Sequence, residues 1–232
     1  ENAAKNSALS PGALFRIASL CKPITEAAVR KLAAAGKLKP GDYVFDLGQP
    51  GGGRLKLTPV GVPDSRLKAV TIDHLMNHTG GWDRDISGDP MFQAIQIAQA
   101  LGKPSPPAQV DIARYMMGRP LDHAPGAQYA YSNFGYLLLG LIIEQVSGKD
   151  YVQYINDEIF GPAGVPSSEV ELGRSLPTLR NPREPEVYYD PASAKNVFNP
   201  SETVPFADGG FHLESMEAHG GLIASARAYS RF

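Results

Sequence analysis

Apolar positions recur at helical spacing in several separate stretches of the chain. After Pro23, the residues Ile24, Ala27, Ala28, Leu32 and Ala35 fall on one face and Gly36 follows, which predicts an amphipathic helix from Pro23. Thr71 can cap a short helix through Asn77, ended by Gly80 and Gly81. Asp89 caps and Pro90 opens a helix to Leu101, closed by Gly102, and a shorter one over residues 110–117 stops at Gly118. The most apolar stretch, with Leu137, Leu138, Leu141, Ile142 and Val146, predicts a helix to Ser147 that is apolar nearly all round and therefore buried. Asp150 starts another through Ile159, and Ser225 can cap a last one at Ala226. Strand signals are sparse. Residues 14–18 read as extended, residues 54–58 alternate like a strand or hairpin arm, and residues 187–189 are a third candidate. That third candidate lies in a segment, 161–210, whose eight prolines exclude long helices.

Composition narrows the classes this pattern allows. With 232 residues and 43% hydrophobic content the chain can bury a full core. Its 22 basic and 24 acidic residues nearly cancel, and with no basic block the reading is of no nucleic-acid partner. No run approaches the roughly 20 apolar residues of a membrane-spanning helix, so no membrane span is expected. The single cysteine excludes an internal disulfide and a multi-cysteine zinc site. The chain opens on Glu1 without a charged and apolar leader, which leaves the compartment undetermined between periplasm and cytoplasm.

Candidate chemistry gathers where the first helix begins. Ser19 and Lys22 stand three residues apart, close enough on a helical turn for the amine to take the hydroxyl proton. A cation at a helix N-terminus works against the dipole, which favours a chemical over a stabilising task for Lys22. The spacing alone is short, and it recurs as Ser65-Arg66-Leu67-Lys68 in a polar stretch. Tyr131-Ser132-Asn133 adds a phenol to move protons and an amide to orient lysine and substrate, although Tyr154-Ile155-Asn156 repeats that spacing inside a helix. A rival makes Cys21 the nucleophile with His74, His78, His123, His212 or His219 as base. Residues 83–89 resemble the start of a calcium loop, but Ala94 stands where the bidentate glutamate is needed, so they read as a polar turn and no metal is expected.

Four blocks in order resemble the penicillin-recognising serine hydrolases of the class C β-lactamase type, a group that includes carboxylesterases and D-amino-acid peptidases. They are Arg16-Ile17-Ala18-Ser19-Leu20-Cys21-Lys22-Pro23-Ile24-Thr25, His74 through Gly81, Pro125 through Tyr136, and Gly220 through Ala226. The resemblance covers nearly the whole chain. It implies an α+β fold of the β-lactamase/transpeptidase type, with Ser19 acylated, Lys22 and Tyr131 as the proton-transfer pair and Asn133 bonding substrate. It also implies no cofactor. His219, Gly220 and Gly221 fit the family's substrate-lining loop better than its third motif, because residues 222–227 read as turning into a helix rather than a strand. The family's outer strands have no counterpart here, so the chain reads as one domain that is an internal part of a larger protein. Residues 1–36 would carry the nucleophile and its helix, 37–160 a helical lobe, and 161–232 a loop-rich return to the sheet, predominantly helical overall.

The function implied is an acyl-enzyme hydrolase acting on a small ester or amide, a carboxylesterase first and a β-lactamase or D-amino-acid peptidase as the alternative. A module that binds penicillin without turnover is the competing class, and a remnant without chemistry the third. The presence of Ser19, Lys22, Tyr131 and Asn133 together favours the enzyme. Oligomeric state cannot be read from the sequence.

Overall fold

A computed structural model describes residues 10–185 and 187–232. The first strand, β1 (Leu14–Arg16), leads through a tight 3-10 turn (Ala18–Leu20) into helix α1 (Cys21–Ala34). This helix begins two residues before Pro23. The first amides of a helix have no intrahelical acceptor, so a proline is tolerated throughout the first turn and not at its first position alone. Ile24, Ala28 and Leu32 are buried as the periodicity requires, while Ala35 is exposed beyond the end of the helix. Gly36 then turns the chain at φ 69°, a left-handed conformation suited to glycine.

Helix α2 (Ile72–Met76) starts at Thr71, whose hydroxyl accepts from the His74 N–H. Asp83 caps the single turn α3 (Arg84–Ser87). The helix expected from Pro90 divides: Asp89 caps a 3-10 turn (Pro90–Phe92), and α4 (Ala94–Leu101) follows and ends at left-handed Gly102. Helix α5 (Gln109–Met117) leads to the loop before α6 (Asn133–Ser147), whose first eleven residues are all buried. Helix α7 (Tyr151–Ile155) widens into a π-type turn (Asn156–Phe160) where one unbroken helix was expected.

The sheet content is small and places the site. Strands β2 (Val170–Leu172), β3 (Ser193–Lys195), β4 (Thr203–Pro205) and β5 (Leu222–Ser225) follow, and helix α8 (Ala226–Tyr229) is capped by Ser225. β5 lies between β1 and β2, antiparallel to both, with Phe15 opposite Ala224 and Glu171 opposite Ile223. β3 and β4 form a separate hairpin. The expectation that residues 222–227 turn directly into a helix is corrected here. All four residues of β5 are buried between two partners, and the helix starts only at the Ser225 cap. Residues 187–189 are no strand either. The Tyr188 ring lies under Arg16 at 4.4 Å, and its hydroxyl donates to Glu184 at 2.8 Å, so tertiary stacking outweighs strand propensity. Residues 54–58 pair only through one bridge, Leu55 to Phe45.

Helices α1 and α6 and the turn at Glu217–Gly221 meet in the core. Their approach is close enough that a Cβ on Gly140 of α6 would stand 2.8 Å from the Ala218 side chain, a separation real Cβ atoms do not show. That glycine lets the turn seat against both helices, which sets the turn's carbonyls over the start of α1. Among the described residues no helix is long and apolar enough to cross a membrane.

Candidate active site

Ser19 sits on the 3-10 turn between β1 and α1, and the residue before it, Ala18, is held at φ 47°. A left-handed alanine is unfavourable, and it persists because neighbours fix both sides: the Ile17 amide donates to Leu222 on β5, and α1 begins at once. The result is an exposed Ser19 side chain beside a buried Lys22.

Three acceptors surround the Lys22 amine. They are the Asn133 Oδ1 at 2.8 Å, the His219 carbonyl at 3.0 Å and the Ser19 Oγ at 3.2 Å. Burial lowers the lysine pKa from its usual value, and Tyr131, Cys21 and Asp89 act in the opposite direction. The Ser19 and Tyr131 hydroxyls are 2.6 Å apart, and the Tyr131 ring lies 4.6 Å from the Lys22 amine. Ser19, Lys22, Tyr131 and Asn133 are thus brought into one hydrogen-bonded group from segments more than a hundred residues apart.

Local sequence explains how each member is presented. The Ser132 hydroxyl accepts from the Gly135 N–H and starts α6, which makes Asn133 the first helical residue and aims its amide at α1. Tyr131 is held by His78. That ring lies 4.6 Å from Tyr131 and 5.0 Å from Tyr136, while its Nδ1 accepts from the Ser132 N–H at 3.1 Å. Burial, with Lys22 and Arg84 nearby, pushes His78 down to about 4, so it is neutral at ordinary pH, as an accepting nitrogen must be. The Arg84 guanidinium lies 4.7 Å from the Tyr131 ring.

Two participants escaped the sequence reading. The sequence reading places His78 in the family-like block and among the possible bases for Cys21, with no role beside Tyr131; in the structure it sits at φ 55°, a constrained conformation. Asp89 was read as a helix cap, which it is, but its other carboxylate oxygen also accepts from the Asn133 Nδ2 at 2.7 Å. Nothing in the sequence pairs these two residues.

The remaining candidates have other places. His219 contributes its backbone carbonyl, while its ring is 3% exposed and its Nε2 lacks a partner among the described residues. Gly221 is buried, and a Cβ there would stand 2.5 Å from the Leu213 carbonyl, so packing requires the glycine. Gly220 is half-buried, with its Cα side facing Ala18. Cys21 is fully buried and its thiol is pushed up to about 12 by that burial, which removes it as a nucleophile. His74 accepts from the Thr71 N–H, His123 faces Asp83 at 3.0 Å and His212 faces Glu214 at 3.6 Å. The calcium-like stretch is built into the protein instead: Asp83 caps α3, and Asp89 holds Met91 and Asn133.

Comparison with known proteins identifies the family. All of residues 1–232 match the family model described as Beta-lactamase. Penicillin-binding protein 4* of Bacillus subtilis (strain 168) is 33% identical over 171 residues, covering 73% of this chain and 33% of that protein. Protein flp of Staphylococcus aureus (strain MW2) is 32% identical over 159 residues, 66% of this chain and 27% of its own length. A putative D-alanyl-D-alanine carboxypeptidase of Escherichia coli (strain K12) is 29% identical over 160 residues, with shares of 66% and 33%. The chain therefore spans about a third or less of the length of these relatives. Among solved structures, a D-amino acid amidase from Ochrobactrum anthropi SV3 superposes with a TM-score of 0.67 at 21% identity, over 99% of this chain and 57% of that one. A penicillin-binding protein from Bacillus halodurans gives 0.65 at 21% identity, over 99% and 62%. The α+β arrangement of a β-lactamase/transpeptidase fold is shared with both. A serine, lysine, tyrosine and asparagine joined as described, on this fold and across the full family match, make the chain a member of the beta-lactamase family of penicillin-recognising serine hydrolases.

Proposed function

We propose that this chain carries the acyl-transfer centre of a serine hydrolase whose first substrates are small carboxylic esters. The observation that carries the reading is what surrounds the Lys22 amine. The His219 carbonyl can only accept, and so can the Asn133 oxygen that faces the amine, at 3.0 and 2.8 Å. When Lys22 is neutral its two N–H bonds go to those acceptors, and the lone pair is left for the third neighbour, the Ser19 hydroxyl. Burial favours that neutral form.

The steps follow from the hydrogen bonds. Ser19 gives its proton to Lys22, directly or through the Tyr131 hydroxyl 2.6 Å away, as Oγ bonds to the substrate carbonyl carbon. The carbonyl oxygen takes the negative charge of the tetrahedral intermediate. The Ser19 N–H, in the first turn of a 3-10 helix and so without an intrahelical acceptor, is available to it. Collapse breaks the bond to the leaving oxygen, which takes a proton from Tyr131 as Lys22 returns the Ser19 proton to that phenol, and leaves Ser19 acylated with Lys22 neutral again. Water then attacks the ester, losing its proton to the same pair, and the acid departs with Ser19 restored.

A second reading has one specific support. Amides need a proton delivered to a poor leaving nitrogen, and the Tyr131 hydroxyl on Ser19 is placed for that delivery. Some relatives and structural neighbours are named as D-alanyl-D-alanine carboxypeptidase or D-amino acid amidase. The test is labelling with an activated phosphonate followed by peptide mapping, then turnover of a nitrophenyl ester, a D-amino-acid amide and a chromogenic cephalosporin. Modification at Ser19 with ester turnover is expected. Amide turnover exceeding ester turnover selects the second reading, acylation without turnover the binding module, and labelling at any other residue overturns the proposal.

A further inference from the structure

Asp89 lies outside every motif of the site, yet it is the carboxylate that faces the lysine's neighbour. Its Oδ1 accepts from the Met91 N–H at 3.0 Å and its Oδ2 from the Asn133 Nδ2 at 2.7 Å. Asn133 in turn accepts from Lys22 through Oδ1. An ionised carboxylate only accepts and an ammonium only donates, so an amide between them has a single satisfiable orientation.

The consequence appears when Lys22 is neutral. One of the two constraints on the amide is then gone, because a neutral amine can also accept. A free asparagine could turn its NH2 toward the lone pair and so occupy the electrons that Ser19 needs. With Asp89 in place, that turn would set the amide oxygen against a carboxylate oxygen, leaving two acceptors face to face in a buried site. Backbone geometry adds to the lock. Asp89 is the cap of the Pro90–Phe92 turn and Asn133 is the first residue of α6, so both side chains leave from fixed positions.

We propose that Asp89 is a positioning residue for Lys22: its carboxylate holds the Asn133 carbonyl toward the amine through both protonation states, and so keeps the lone pair aimed at Ser19. This rests on reading Lys22 as the base. Lys22 is faced by Tyr131 and Cys21 and, at longer range, by His78 and His219; Asp89 is the carboxylate among the groups acting on it.

Asp89→Asn tests it, because asparagine caps a helix about as well as aspartate and leaves the Met91 contact available. Single-turnover acylation of Ser19 by a nitrophenyl ester should slow roughly ten- to a hundredfold, with KM changed by less than about threefold, as expected for misaimed rather than missing groups. The Lys22 titration, followed by NMR of its side-chain nitrogen, should move to lower pH. The exchanged pair Asp89→Asn with Asn133→Asp again places an acceptor toward Lys22 and a donor toward residue 133, and it should acylate faster than either single variant. An unchanged acylation rate in Asp89→Asn overturns the inference, as does an exchanged pair slower than both singles. If the unaltered protein does not acylate at Ser19, the proposed function fails. The Asn133 side-chain amide resonances then decide the Asp89 contact by themselves: a shift in Asp89→Asn upholds the lock, and no shift removes it.

Discussion

Ser65-Arg66-Leu67-Lys68 lies on a 3-10 turn capped by Asp64, with Ser65 and Lys68 exposed and only Leu67 buried. Its arginine folds back on Asp64 and donates to the Leu121 carbonyl at 2.6 Å, so the turn seats one leucine in the core and ties down residue 121. Ser19-Leu20-Cys21-Lys22 has the same spacing, but α6 and the Glu217–Gly221 turn close over its lysine. The two tyrosine motifs divide in the same way. Tyr154 is packed in α7 while Asn156 donates to Val170 at 3.1 Å, whereas Tyr131 and Asn133 reach Ser19 and Lys22. Spacing lets two groups meet; partners from distant segments decide whether the meeting has chemistry.

The largest expected effect separates the two serines. Ser19→Ala should reduce ester turnover by at least about a thousandfold, since nucleophile and base act as one unit. Ser65→Ala should leave kcat/KM within about twofold, as surface substitutions usually leave the fold within about 0.5 kcal/mol. A comparable loss in both variants would break the distinction. The tyrosines extend it: Tyr131→Phe should lower kcat by about 10²- to 10⁴-fold, the usual contribution of a positioned acid or base, while Tyr154→Phe leaves kcat near that of the unaltered protein. Steady-state kinetics on folded, monodisperse samples decides this.

What the chain disclosed in advance follows the same division. The caps at Thr71, Asp89 and Ser225 and the buried face of α6 were legible, because each depends on neighbours within a few residues. Ser19, Lys22, Tyr131 and Asn133 were legible because their order resembles a family and their setting differs from that of their second copies, although the spacing alone is the same. The Asp89–Asn133 bond and the His78 stack were not, being side-chain contacts between segments 44 and about 54 residues apart. β5 was missed because Leu222-Ile223-Ala224 carries no alternation; both faces are buried, and such a run cannot be told from a buried helix by period.

A smaller effect should come from Thr25, which ties down the turn over Lys22. Its hydroxyl is 2.6 Å from the Tyr151 hydroxyl and donates to the Ala218 carbonyl, one residue before the carbonyl that Lys22 uses. Thr25→Val keeps the shape and leaves buried polar groups unpaired, so urea unfolding should show a loss of about 1–3 kcal/mol. No comparable buried bond holds Ser65 among the described residues, and Ser65→Ala should move the urea midpoint little. Equal stability of Thr25→Val and the unaltered protein would show that this tie contributes nothing.

The smallest effect is a difference in pH window between the same two regions. Beside Ser19 and Tyr131, the His78 pKa is pushed from 6.5 to about 4 by burial first, with Lys22 and Arg84 adding. The unfolded chain therefore takes up a proton at a pH where the folded one refuses it, and stability present above pH 6.5 is lost as pH falls toward 4. Beside Ser65, hydrogen bonds from the Arg66 side chain hold the Asp64 carboxyl well below its usual 3.8, with backbone donors assisting. Its contribution is intact down to about the unfolded value and is lost only in more acidic solution, a separate window. His78→Asn keeps an accepting atom for the Ser132 N–H, and asparagine tolerates the left-handed backbone at this position. It should flatten the fall in Tm between pH 6.5 and 4 while leaving the drop below pH 4, and Asp64→Asn should do the reverse. Because both groups are partly solvated, each change should amount to no more than a few degrees. A Tm profile for His78→Asn parallel to that of the unaltered protein from pH 6.5 to 4 would show that the histidine is not held neutral by its burial, and the acceptor role assigned to its Nδ1 would fall with it.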